Sequence, residues 1–302
     1  MNFTKKYAIV TGGANGIGRC ITERMLRAGV HVIIIDIDEQ AGIALCNHHE
    51  NLSFYHGDIA DQVTLLAFID KLKTPVDFII NNACISHGGL LSNCSWENFE
   101  YVQRVGVTAP YFLVSNIYKR DLLAKNASIV NIASTRALQS QADTESYSAA
   151  KGGILSLTHA MSISLAGQAR VNAVSPGWIE TAAYYGNDSS SNGNSDSSSN
   201  NNGNSDSSSN NNGNSDSSSN SNDNGDRNGN NNNNDSTAKH SGPDKRQHPA
   251  GRVGTPEDVA EMVMFLCDNS RAGFITGENI IIDGGMSKLM IYHNDNGWQF
   301  DG

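Results

Sequence analysis

Two periodicities alternate along this chain, and their alternation limits the fold more than any other feature does. Short runs rich in β-branched residues occur at 7–11, 30–35, 53–57, 76–80, 127–132, 171–174 and 279–282. Between them lie longer stretches with apolar residues at helical spacing, such as Ile17, Ile21 and Met25 in the first and Val259, Met262, Val263 and Leu266 in the last. Strands that alternate with such helices predict β-α-β crossovers and a parallel sheet covered on both faces. Runs without polar interruption, such as Val32-Ile33-Ile34-Ile35, suit strands buried on both sides. The expectation is a single α/β domain built on a doubly wound parallel sheet.

One segment cannot share that core. Residues 187–237 contain no Ala, Val, Ile, Leu, Met, Phe, Trp, Tyr or Cys, and the unit NNGNSDSSSN repeats at 201–210 and 211–220. The 38% hydrophobic content therefore belongs to the remainder, which is about 46% apolar, ordinary for a globular domain. A repeat with nothing to bury neither stacks into a solenoid nor offsets an ordering entropy of roughly 1–2 kcal/mol per residue. The chain is thus read as one domain formed by 1–186 and 239–285, a disordered insertion at 187–238, and a C-terminal tail at 286–302. Segment 187–237 holds seven Asp and one Arg, so it accounts for −6 of the net charge of −10. The mildly acidic remainder disfavours a nucleic-acid partner, because phosphate recognition needs a positive face. No apolar run approaches the ~18 residues of a membrane span, and the opening MNFTKKYAIV lacks a signal-peptide pattern. Five scattered cysteines (Cys20, Cys46, Cys84, Cys94, Cys267) without a C-x-x-C pair read as reduced thiols of a cytoplasmic protein, with no metal framework.

Thr11-Gly12-Gly13-Ala14-Asn15-Gly16-Ile17-Gly18 follows the first strand and opens the first helix. Glycines there allow a tight turn and close approach to a pyrophosphate, whose charge a helix N-terminus favours; the bland alternative is a turn that only packs helix on strand. Asp36 ends the second strand, eighteen residues after Gly18. A carboxylate there accepts both hydroxyls of an adenosine ribose and repels a 2′-phosphate, which favours NAD over NADP; otherwise it caps the following helix. Asp58, after the third strand, is a candidate for the adenine edge or for a helix cap.

Tyr147 and Lys151 stand four apart at the start of a predicted helix and face the same way. A tyrosine with a pKa near ~10 is a poor base at neutrality, and a lysine one turn away favours its phenolate. Ser134 follows the fifth strand and can hold a reacting oxygen. Taken alone, Y-x-x-x-K usually marks a solvated helix face.

Combined, these features resemble the short-chain dehydrogenase/reductase family, a Rossmann-like fold, over about residues 6–181 and 250–287. The resemblance rests on TGGANGIG at 11–18, Asp36, Asp58-Ile59, NNAC at 81–84, Ser134, Tyr147 with Lys151, PGWIET at 176–181, GRVGTPEDVA at 251–260 and ITGENIIIDGG at 275–285. It implies an NAD-dependent oxidoreductase that interconverts a secondary alcohol and a ketone. By that resemblance Tyr147 is the general acid/base, Ser134 orients the substrate oxygen, and Lys151 holds the nicotinamide ribose and tunes Tyr147. Gly12, Asn15, Gly16, Ile17 and Gly18 line the pyrophosphate site, Asp36 the ribose, Asp58 and Ile59 the adenine, and Asn82 and Ala83 the cofactor's flank. Pro176, Gly177, Ile179 and Thr181 complete the cofactor site, the last two beside the carboxamide.

The chain departs from the family pattern in three places. Gly106 stands where the family usually has a fourth catalytic residue, an asparagine that helps hold a water behind the lysine; the expectation is a slowed but working enzyme. Cys84 replaces the last glycine of NNAG, and 182–250 fills a lid segment that is usually much shorter. These departures leave open a second reading, an NAD-binding protein with little or no turnover that acts as a sensor or scaffold. A small-molecule alcohol or carbonyl is the expected substrate, walled by Ser86, His87, Arg136 and Trp178. Arg136 either binds a substrate carboxylate or forms a structural salt bridge; Trp178 either stacks on substrate or packs beneath the lid. The resemblance also implies a homodimer or homotetramer through helices near 95–120 and 147–166, with the apolar tail (Met290, Ile291, Tyr292, Trp298, Phe300) against a neighbour.

Overall fold

In the computed structural model, which describes residues 3–184 and 240–290, each of the seven apolar runs is a strand. They are β1 (Tyr7–Thr11), β2 (His31–Asp36), β3 (Leu52–His56), β4 (Val76–Asn81), β5 (Leu123–Ile132), β6 (Ala169–Pro176) and β7 (Asn279–Ile282). All pairs are parallel, in the order β3-β2-β1-β4-β5-β6-β7. The order reverses between β1 and β4, where Thr11 lies in register with Asn81, so a crevice opens beyond the carboxyl ends of those strands.

Crossover helices cover both faces: α1 (Gly16–Arg27), α2 (Glu39–Cys46), α3 (Gln62–Asp70), α4 (Trp96–Gln103), α5 (Ala109–Lys119), α6 (Glu145–Ser164), α7 (Gly242–Arg246), α8 (Pro256–Cys267) and α9 (Asn269–Ala272). Alternate strand residues feed two separate cores. Ala8, Val10, Val32 and Ile34 pack with Ile21 and Met25 of α1 and Val259 and Val263 of α8. Ile9, Ile35, Ile79 and Ile129 pack with Phe68 of α3, Leu113 and Ile117 of α5 and Met161 of α6. This two-sided burial is why the strand sequences show no polar alternation.

Two strands run longer than their apolar pattern. β5 begins at Leu123 rather than 127 because Lys125 and the left-handed Asn126 (φ 61°) interrupt the pattern without ending the strand. β6 spans Ala169–Pro176, with Arg170 and Asn172 buried inside it. The Arg170 guanidinium donates to Asn269 Oδ1 at 2.9 Å and to the Leu266 carbonyl at 2.6 Å, which satisfies it in place of water. The five cysteines are free thiols, and among the described residues no helix is long and apolar enough to cross a membrane. The expectations for 187–238 and for Ile291, Tyr292, Trp298 and Phe300 of the tail lie outside the described residues.

Candidate active site

The loops after β1 and β4 are laced together at the point where the strand order reverses. The Thr11 hydroxyl accepts the N–H groups of Asn82 at 3.0 Å and Ala83 at 3.1 Å. In return the Asn82 amide donates to the carbonyls of Thr11 at 3.1 Å and Gly12 at 2.9 Å. Gly18 closes this arrangement: a Cβ there would stand 2.0 Å from the Gly12 carbonyl oxygen. Asn15, Gly16 and Ile17 form the entry to α1, and Ile17 leans on the core below.

The N-terminus of α1 differs from those of its neighbours. Helices α2, α3 and α4 are capped by Asp38, Asp61 and Ser95, whereas α1 has no side-chain cap and no acidic residue in its first turn. Its leading residue, Asn15, sends its amide instead to the Asp38 carboxylate at 2.7 Å. The first N–H groups of α1 are therefore available to an anion, and the residue set fits a pyrophosphate.

Asp36 sits at the end of β2 with one carboxylate oxygen accepting the Ala14 N–H at 2.9 Å and the other the Asp38 N–H at 3.1 Å. Burial pushes its pKa up, against the pull of those donors. Capping of α2 falls to Asp38, so that alternative for Asp36 is set aside. Asp58 likewise caps no helix. Its carboxylate accepts the Tyr101 hydroxyl at 3.0 Å and the Ala60 N–H at 2.8 Å, while Asp61 caps α3. Burial and then the bond to Asp58 push the Tyr101 hydroxyl up to about 12. The Ile59 side chain is buried in the core.

Across the crevice, Ser134 follows β5 and its side-chain oxygen accepts the Arg136 N–H at 3.1 Å. Tyr147 and Lys151 lie one turn apart near the start of α6, and the lysine nitrogen is 5.4 Å from the centre of the tyrosine ring. Lys151 is buried and donates to the Ile132 carbonyl at 2.7 Å, which fixes its amine at the end of β5. The Arg136 guanidinium carbon lies 5.7 Å from the same ring centre. Beyond β6, Pro176 is buried and Gly177 donates to the Ile282 carbonyl at 2.9 Å. Ile179 pairs with Gly254, which holds the strand toward Thr181 against the segment before α8. Trp178 meets His240 edge-on at 5.4 Å and His248 at 6.1 Å.

Three supports escaped the sequence reading. A buried chain runs from the Asn81 amide to Asn131 Oδ1 at 2.7 Å, and from the Asn131 amide to the Thr158 hydroxyl at 2.8 Å, tying β4 and β5 to α6. Polar residues within apolar strand ends were the available signal. Asp143, ahead of α6, accepts the N–H groups of Gly89 and Leu91 at 2.9 Å and Ser92 at 3.0 Å, and Glu145 accepts that of Leu90 at 3.2 Å. These carboxylates anchor the 86–94 loop beside the crevice. Finally, the helix expected near 95–120 is broken by a π-helical turn at Arg104–Thr108, closed by the Ala109 N–H on the Arg104 carbonyl. Gly106 is its middle residue, and Pro110, four residues on, has no N–H to give the Gly106 carbonyl in α-helical register.

Comparison with known proteins agrees with this architecture. Residues 6–190 match the family described as short chain dehydrogenase, and residues 230–287 match the one described as enoyl-(acyl carrier protein) reductase. An uncharacterized oxidoreductase of Thermotoga maritima is 35% identical, with 95% of this chain and 98% of that protein covered. A 3-oxoacyl-(acyl-carrier-protein) reductase of Chlamydia pneumoniae is 28% identical, covering 93% of this chain and 97% of the other. Among solved structures, an apo SCOR enzyme from Clostridium thermocellum superposes with a TM-score of 0.75 at 38% identity, covering 99% of each chain. A 3-ketoacyl-(acyl-carrier-protein) reductase from Brucella melitensis, in complex with NADH, shares the fold with a TM-score of 0.69 at 22% identity, over 95% of this chain and all of that one.

Proposed function

The chain belongs to the short-chain dehydrogenase family, and from that premise we propose that it is an NAD-dependent oxidoreductase interconverting a secondary alcohol and a ketone. The observation that carries the reading is Tyr147 within one helical turn of Lys151 near the start of α6, with the lysine nitrogen 5.4 Å from the tyrosine ring centre and fixed at the end of β5, the strand that Ser134 follows. Ser134 orients the substrate oxygen. Tyr147 takes the hydroxyl proton in oxidation and returns it in reduction. The buried Lys151 ammonium, held by the Ile132 carbonyl, places positive charge beside the ring and favours the phenolate. When bound, the nicotinamide ring supplies the hydride acceptor for the alcohol and the donor for the ketone.

Gly12, Asn15, Gly16, Ile17 and Gly18 hold the pyrophosphate, supported by the uncapped start of α1. Asp36 selects NAD through the ribose hydroxyls, Asp58 and the Ile59 main chain flank the adenine, and Asn82 and Ala83 pack beside the cofactor. Pro176, Gly177, Ile179 and Thr181 shape the carboxamide end. Two copies associate through α4, α5 and α6, where Phe99, Tyr111, Tyr118 and Ile163 are exposed.

The test is turnover of NAD with a panel of secondary alcohols by the parent and by Tyr147→Phe. We expect turnover in the parent and its loss in the variant, with NADH still binding by fluorescence titration. An inert parent that binds NADH normally would replace this reading with the sensor or scaffold role.

A further inference from the structure

We propose that the substrate is a short hydroxy acid or keto acid whose carboxylate is held by Arg136, a specificity residue beside the catalytic tyrosine. The inference deepens the oxidoreductase reading and rests on it. Arg136 stands two residues after Ser134, and its own N–H already holds the serine oxygen at 3.1 Å. Its guanidinium carbon lies 5.7 Å from the centre of the Tyr147 ring, so the charged head group is a direct neighbour of the proposed acid/base.

The charges around it are unbalanced. Among the described residues the guanidinium has no carboxylate partner; its side-chain hydrogen bond goes to the neutral amide oxygen of Gln141. The carboxylates nearest in sequence, Asp143 and Glu145, are turned away to the main-chain N–H groups of residues 89–92. Lys151 adds a second cation 5.4 Å from the same ring, fixed by a neutral carbonyl. A half-buried guanidinium with a neutral partner keeps most of its five donors free for a planar anion, which it binds in bidentate fashion. This arrangement differs from a structural salt bridge, which would spend the charge on a protein carboxylate.

The experiment compares lactate and β-hydroxybutyrate with their methyl esters as reductants of NAD, in the parent and in Arg136→Met and Arg136→Lys. The parent should prefer at least one free acid over its ester. Arg136→Met should lower kcat/KM for that acid roughly ten- to hundredfold, mainly through KM, the range expected for a charge-assisted contact. Its kcat/KM for the ester should fall several times less than for the acid, and measurable ester turnover also shows that the variant folds. Arg136→Lys should fall between the two, because it keeps the charge and loses the fork. Preference for esters in the parent, or an equal loss for acid and ester in Arg136→Met, would overturn the inference while leaving the oxidoreductase reading standing. Absence of turnover with either class and with neutral secondary alcohols would remove that reading, and the inference with it.

Discussion

Asp36 shows how one side chain can cost the fold it sits in. Burial holds its carboxyl above the ordinary carboxylate range despite two main-chain donors. An acid whose pKa is raised by folding contributes stability that is complete below its unfolded value, here 3.8, and is lost as the pH rises through its folded value. Near neutrality the ionised Asp36 therefore works against the cofactor-free fold. Asp36→Asn, which keeps an oxygen for the Ala14 N–H, should raise the Tm of the cofactor-free protein at neutral pH by a few degrees at most. The gain should vanish below about pH 4, where the parent carboxyl is protonated. The same variant should bind NAD(H) more weakly and close the gap to NADP(H). A lower Tm at neutral pH would contradict the burial account, and equal affinity of the parent for both cofactors would sink the NAD assignment. The placement of Asp36 at the end of β2 and of Tyr147 and Lys151 one turn apart on α6 was legible in the sequence because these spacings are fixed by local geometry. Asp143, Glu145 and Thr11 were not, because their partners lie in loops far away in sequence.

At the level of elements, the strands were legible because burial on both faces leaves uninterrupted apolar runs; β5 was underestimated where the exposed Lys125 and Asn126 interrupt it, and β6 where buried polar residues do. The break in the helix beyond α4 was half legible. Gly106 with Pro110 four residues later marks a helix missing one donor, but only the packing shows what the glycine is for. A Cβ at Gly106 would lie 2.8 Å from the Cβ of Ala150, the residue before Lys151, so the π-turn presses directly on α6. The space beside Gly106 is thus filled from the other helix. Gly106→Ala should destabilise by about 1–3 kcal/mol through overpacking, since Ala150 has no flexible end to move aside. Ala150→Gly should reduce that cost, although glycine in the helix interior itself costs ~1 kcal/mol. Thermal melts of both single variants and the double variant measure the coupling between the two sites. Additive losses would show that the two helices do not compete for this space. Where coupling is found, Gly106→Asn in the Ala150→Gly background is the variant in which the asparagine's effect on kcat can be read without the clash.

For the whole molecule, the outer face of the α4–α6 layer carries several large hydrophobic side chains exposed in a lone protomer. Tyr111 and Tyr118 are seven residues apart on one side of α5 and are about half exposed, and Ile163 near the end of α6 is 69% exposed. The opposite sides of these helices supply core residues such as Leu113, Ile117 and Met161, so the exposed tyrosines and Ile163 are apolar surface beyond what the core uses. A two-fold axis would bury such side chains against a second copy of the same face. Each substitution in such an interface occurs twice, so two tyrosines replaced per chain place four charges in it. Tyr111→Lys with Tyr118→Lys should therefore convert an oligomer into a monomer at micromolar concentration, as measured by light scattering. The parent's Tm should rise with protein concentration, because association stabilises the folded state by mass action, whereas the variant's Tm should not. The tyrosines lie on the surface rather than in the protomer core, so the variant should keep the parent's far-ultraviolet circular dichroism. A parent that is already monomeric, or a variant that stays associated, would place the interface elsewhere on the molecule.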